Sequence, residues 1–119
     1  MKKLHKTNPN LISLIELLRK EGYKNNVPLW VDIAARLSKP TRHTAEVNIS
    51  QINRYTEKGD TVVIPGKVLG AGVLDHTVTV SAFAFSRVAK EKISALGRVL
   101  SIPDLLQENP QGTGVKIME

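Results

Sequence analysis

Apolar residues in the first third of the chain recur with a helical period. Leu11, Leu14, Ile15 and Leu18 fall at i, i+3, i+4 and i+7, while Ser13, Glu16 and Lys20 point the other way. Asn8 as N-cap and Pro9 at the first helical position predict where this helix starts, and Gly22 predicts where it stops. A second, shorter helix is predicted over Leu29 to Leu37, with Trp30, Ile33, Ala34 and Leu37 sharing a face. It ends before Pro40, because proline disfavours helix at the preceding residue.

From Val47 the period changes. Val47 and Ile49 alternate with Asn48 and Ser50, which predicts a short strand, and Glu57 to Asp60 predicts a turn. Thr61-Val-Val-Ile64 is a β-branched run typical of a buried strand, expected to end at Pro65-Gly66. His76 to Phe85 alternates, with Val78, Val80, Ala82 and Ala84 on one side and Thr77, Thr79, Ser81, Phe83 and Phe85 on the other. Ser86 caps a third helix that turns Val88, Ala89, Ile93 and Leu96 inward and closes at Gly97. A strand at Arg98–Leu100 follows, then a capping-box sequence from Ser101 to Asp104 opening a last turn with Leu105 and Leu106. Beyond it the polar stretch with Pro110, Gly112 and Gly114 predicts an extended C-terminal segment.

The pattern predicts an α/β chain: a basic arm over residues 1–8, then a single α/β domain over 9–119. Within that domain a helical part (9–44) precedes an α/β core (45–108) and an extended tail (109–119). The 119 residues suit one domain, and 41% apolar content is enough for a hydrophobic core. No apolar run approaches the ~18 residues of a membrane span, and no signal-peptide pattern opens the chain, so a soluble, intracellular protein is expected. The absence of cysteine excludes disulfides, thiolate metal sites and a cysteine nucleophile.

Charge sharpens the picture because it is one-sided. Residues 1–54 hold ten basic and four acidic groups, and residues 55–119 hold seven of each, so the whole +6 excess lies in the N-terminal half. Such a footprint points to a polyanion, and nucleic acid is the commonest one in a cell. Arg36, Lys39, Arg42 and His43 crowd into eight residues between predicted elements, where a phosphate-binding surface fits.

Competing chemistries fare worse. Gly66-Lys67-Val-Leu-Gly70-Ala-Gly72 invites a phosphate-loop reading, but Lys67 is followed by Val-Leu where a P-loop needs Ser/Thr, and no dinucleotide fingerprint is present. Turn glycines are the expected role, with Lys67 available as a point charge. Asp75-His76 suggests a carboxylate-oriented imidazole, yet neighbours entering a strand are expected to face opposite ways. His5, His43 and His76 are too scattered for a metal site. Phe83 and Phe85 resemble a base-stacking strand but lack its basic-Gly lead-in, so a core role is expected. A helix-turn-helix, and with it a sequence-specific DNA-binding regulator, is the alternative function. The predicted Gly22–Pro28 link is longer than that motif's turn, and the second helix faces its large residues toward a core. A small phosphate-handling enzyme using the glycine segment is a further alternative.

Three blocks decide between these readings. Glu46-Val-Asn-Ile-Ser-Gln-Ile-Asn-Arg-Tyr55, Gly59-Asp-Thr-Val-Val-Ile-Pro-Gly-Lys-Val-Leu-Gly70 and Leu74-Asp-His-Thr-Val-Thr-Val80 resemble, in this order, the archaeal and eukaryotic large-subunit ribosomal protein family "eighteen-e", a distant relative of the bacterial large-subunit protein "fifteen". The likeness continues through Phe83-Ala-Phe-Ser-Arg87 and the tail Asn109 to Val115. The resemblance implies a small irregular superhelix of β-β-α turns after the basic helical part. It also implies binding to large-subunit ribosomal RNA beside neighbouring ribosomal proteins, in the cytoplasm, without catalysis, cofactor, metal, membrane or small-molecule substrate. Residues carried into the RNA-binding role are Lys2, Lys3 and Lys6 of the arm, Arg36, Lys39, Arg42 and His43 of the loop, then Arg54 and Lys67. Lys92 and Arg98 are weaker candidates. The family tail is more basic than Gln111–Glu119, where Lys116 is the only positive charge.

Overall fold

The helical face of Leu11, Leu14, Ile15 and Leu18 does form, and it is buried as the spacing requires. It belongs to helix α1, Pro9–Lys24, in a computed structural model that describes residues 9–39 and 45–119. The proposed cap Asn8 lies outside the described residues. Gly22 does not end the helix: it sits buried inside it, where an added Cβ would lie 2.7 Å from Val31 Cγ2. Its role is to let α2, Pro28–Leu37, approach closely. The chain turns instead at Asn26, whose positive φ of 55° is a conformation asparagine tolerates. Pro28 opens α2 at the position where a missing N–H costs nothing, and Trp30, Ile33, Ala34 and Leu37 are buried as expected.

Five strands follow, interleaved with three more helices: β1 Ala45–Asn48, α3 Ile49–Tyr55, β2 Asp60–Leu69, β3 Val78–Phe85, α4 Arg87–Leu96, β4 Arg98–Ser101, α5 Ile102–Glu108 and β5 Val115–Ile117. Every pairing is parallel, in the order β1-β2-β3-β4, with β5 also on β2. β1 takes the Gly66–Leu69 half of β2 and β5 takes the Thr61–Val63 half. Both therefore share the edge of β2 that β3 leaves open. The α/β class is as expected, and β2, β3 and α4 supply a β-β-α unit.

Alternation along β2 divides the interior in two. Val63 faces α1, α2 and α5, together with Trp30, Leu18, Ile33 and Ile102. Val62, Ile64 and Val68 face α3 and α4, packing with Ile49, Ile52, Val80, Ala89 and Ile93. Several local expectations change. Ile49 is not a strand residue but opens α3, which Asn48 caps with Gln51 in a reciprocal capping box; the Gln51 side chain accepts from Asn48 N at 3.0 Å. β2 does not stop at Pro65-Gly66 but passes through them to Leu69, with a register irregularity between Ile64 and Lys67 absorbing the proline. In α4 only Ala89 and Ile93 are buried, while Val88 and Leu96 stay exposed. Phe83 packs toward the helical core and Phe85 toward the other, so strict alternation ends near the last residues of β3. The caps Ser86 and Ser101 behave as predicted, each accepting a backbone N–H at 3.2 Å.

The glycine segment is explained by length. Joining parallel strands demands a return path, normally a dozen or more residues with a helix. Here register places Val78 beside Asp60, so the chain must run from Leu69 back along the whole of β2 using only residues 70–77. At about 3.3–3.6 Å per residue this leaves almost no slack. The extended return squeezes between α3 and α4. A Cβ on Gly70 would meet Val88 Cγ1 at 2.6 Å, and one on Gly72 (φ 106°) would meet Ser50 N at 2.6 Å. Lys92 from α4 holds the path, donating to the carbonyls of Gly70 at 2.7 Å and Gly72 at 2.6 Å.

The tail is held too. Trp30 Nε1 donates to the Pro110 carbonyl at 2.7 Å, Met118 N donates to the Val63 carbonyl at 3.0 Å, and Lys116 pairs with Asp60 at 2.9 Å. What reads as an extended C-terminal segment is therefore partly a sheet strand.

Candidate nucleic-acid interface

The candidate cations are in three conditions. Lys2, Lys3, Lys6, Arg42 and His43 lie outside the described residues. Arg36 and Lys39, at the end of α2, are answered by the chain's own acids. Arg36 Nε bonds Asp32 one turn back at 3.0 Å, its Nη1 bonds Glu119, and Lys39 Nζ lies 3.6 Å from the same Glu119 oxygen. These carboxylates, Asp32 foremost, raise the Arg36 pKa further above its ordinary value. Arg54 and Lys67 make up the third group. Both are exposed and neither makes an ion pair among the described residues. Arg54 ends α3 with its guanidinium 6.0 Å from the centroid of the exposed Tyr55 ring, while Lys67 lies on β2 with Glu46 as its register neighbour on β1.

The two weaker candidates have structural tasks. Lys92 clamps the glycine return path, and Arg98 forms a two-pronged pair with Glu108 at 2.8 and 2.7 Å. No local sequence pattern marks Glu119 or Glu108 as partners.

Asp75 and His76 are a correction to the sequence expectation: they do meet. Both precede β3, so strand alternation does not separate them. His76 Nδ1 lies 2.8 Å from Asp75 Oδ1, and Nε2 lies 2.7 Å from Thr56 Oγ1. Thr56, however, is buried and donates its own proton to the Ile52 carbonyl at 2.6 Å. The array ties the α3 end to the return path, since Asn53 also accepts from Asp75 N at 3.0 Å. Among the described residues there is no group of three His, Cys, Asp or Glu that could hold a metal ion, and no helix is long and apolar enough to cross a membrane.

A pH dependence follows from two carboxylates. The Glu57 backbone N–H and Lys116 hold Asp60 below the ordinary carboxylate range, and His76 followed by Asn53 does the same for Asp75. A depressed folded-state pKa contributes stability that is complete above the unfolded value, about 4, and is lost as pH falls through the lower folded value. The melting temperature should therefore fall between about pH 4 and pH 2. Asp60→Asn should be less stable than the parent at pH 6 and flatter in that acid range, as read by circular dichroism melts; equal slopes would refute the assignment.

The helix-turn-helix alternative is altered by the structure. Only Asn25, Asn26 and Val27 separate α1 from α2, which removes the objection of turn length. The face objection stands: α2 buries its large side chains and exposes Asp32 and Ala35, with Arg36 already bonded.

Residues 32–99, from α2 to β4, match the model of the family described as ribosomal proteins 50S-L15, 50S-L18e and their 60S counterpart. The large ribosomal subunit protein eL18 of Methanococcus maripaludis is 51% identical over 99% of both chains. The chain belongs to this family. The eL18 proteins of Methanoregula boonei and Methanothermobacter thermautotrophicus are 49% and 48% identical, covering 97% and 100% of the chain and 96% and 99% of their own lengths. The match to eL18 thus takes in α1 and the β5 tail as well as the sheet.

Proposed function

We propose that the chain is a structural component of the large ribosomal subunit, in the cytoplasm, that binds ribosomal RNA through phosphate contacts beside neighbouring ribosomal proteins. The observation that carries this is the location of the charge in an eL18-family chain. The whole excess lies in residues 1–54, and Arg54 and Lys67 stand exposed without an acidic partner among the described residues. The contacts assigned are the arm Lys2, Lys3 and Lys6, the loop Arg36, Lys39, Arg42 and His43, then Arg54 and Lys67. Arginine grips phosphate bidentately and lysine acts as a point charge. Tyr55 beside Arg54 offers an exposed ring to an unpaired base.

The test is binding to large-subunit rRNA fragments across a salt series, with duplex DNA as competitor. Each phosphate neutralised contributes about −0.7 to −0.9 to the slope of log affinity against log salt. The double variant Arg54→Gln, Lys67→Gln should flatten that slope by about 1.5, by the same counterion arithmetic, and should weaken binding to all preferred fragments alike. A flat salt response, or equal affinity for duplex DNA, would overturn the reading.

A further inference from the structure

We infer that Arg36 and Lys39 form a phosphate site that Glu119 occupies in the free protein and yields to RNA. This rests on the RNA-binding reading above. Asp32 engages Arg36 through Nε at 3.0 Å and Nη2 at 3.5 Å, which orients the guanidinium and leaves Nη1 facing outward. That outward edge and Lys39 Nζ converge on a single oxygen, Glu119 Oε1. Two cations on one oxygen is the arrangement a phosphate oxygen takes, and a carboxylate is its nearest analogue within the chain.

The occupant is well placed to leave. Its backbone is fixed, since β5 pairs with β2 and Met118 N is bonded to Val63, so only a side-chain swing is needed to open the site. The side chains of Arg36, Lys39 and Glu119 are 30%, 45% and 28% exposed, so water and salt screen the pairs and each is weak. A polyanion presents a far stronger field at the same point. Glu119 thus acts as an internal competitor that sets how tightly this edge holds RNA. The sequence shows a basic cluster here, whereas the fold shows one whose charge is cancelled until the tail carboxylate moves.

The experiment compares full-length wild type with Glu119→Gln and Glu16→Gln for binding large-subunit rRNA fragments at about 0.1 M salt. Glu16 is an exposed α1 residue with no ion pair among the described residues, so its variant has the same net charge as Glu119→Gln without touching the site. Glu119→Gln should bind about fivefold more tightly, the scale of one screened ion pair. The gain should vanish when Arg36→Gln and Lys39→Gln are added. Thermal melts of each variant establish that it is folded. A gain no larger than that of Glu16→Gln, or one that survives loss of Arg36 and Lys39, overturns the proposed site while the RNA-binding reading stands. Wild-type protein that shows no salt-dependent preference for rRNA overturns both.

Discussion

Truncating Trp30 to alanine is expected to lower the unfolding free energy by about 3–5 kcal/mol, the range for deleting a large buried ring. Trp30 is fully buried at the centre of the helical core, between α1, α2 and the sheet. Its indole also carries the 2.7 Å hydrogen bond to Pro110, so the same side chain fastens the segment between α5 and β5. Alanine leaves both a cavity and an unpaired carbonyl. Total stabilities of about 5–15 kcal/mol make such a loss close to unfolding. Trp30→Phe separates the two contributions. It keeps most of the ring volume and loses the hydrogen bond, and should cost about 1–3 kcal/mol. Urea unfolding followed by circular dichroism measures both. Near-equal stability of Trp30→Ala and wild type would mean that the ring is not packed as described.

The second large effect is expected at Gly66, and it is steric. A Cβ there would overlap the carbonyl oxygen of Ala45 and stand 2.8 Å from its carbonyl carbon. Those are backbone atoms of β1, which has no rotamer by which to yield. Either β1 moves away from β2 or the irregularity after Ile64 is rebuilt, and Gly66→Ala should cost about 3 kcal/mol. Gly59→Ala is the comparison. Gly59 has a positive φ of 86° but nothing within 4 Å, so only the backbone penalty of about 1–2 kcal/mol applies. Hydrogen exchange should show the β1 amides losing protection first in Gly66→Ala. A smaller loss at Gly66 than at Gly59 would refute the close approach.

What the sequence disclosed was local periodicity and caps. The faces of α1 and α2, the inward set Val78, Val80 and Ala82, and the caps Ser86 and Ser101 all follow from spacing of two, three or four residues. Where two local patterns overlap, the reading failed. Val47 and Ile49 alternate like a strand, yet Asn48 and Gln51 cap a seven-residue helix between them. Pro65-Gly66 has the composition of a turn, but the parallel neighbours on both sides hold it in β2. Gly22 has the composition of a stop and is in fact a contact with Val31.

The candidate site was legible only as a list of charges. Which cations are cancelled depends on Arg36 meeting Glu119 and Arg98 meeting Glu108, and the first of these pairings is created by the whole chain. The family resemblance reached further than periodicity, because three ordered blocks specify a fold that no single spacing does.

Strand β5 has a consequence for how the molecule is made. Its partner Thr61 is synthesised long before Val115. Until the later residues leave the ribosome that is translating them, half of one edge of the central strand has its hydrogen-bonding groups unpaired. A nascent chain halted before Val115 would carry this open edge, and open edges recruit other strands. Completion of the sheet is thus a timed event, set by the pace of translation, and the same step brings Glu119 to Arg36.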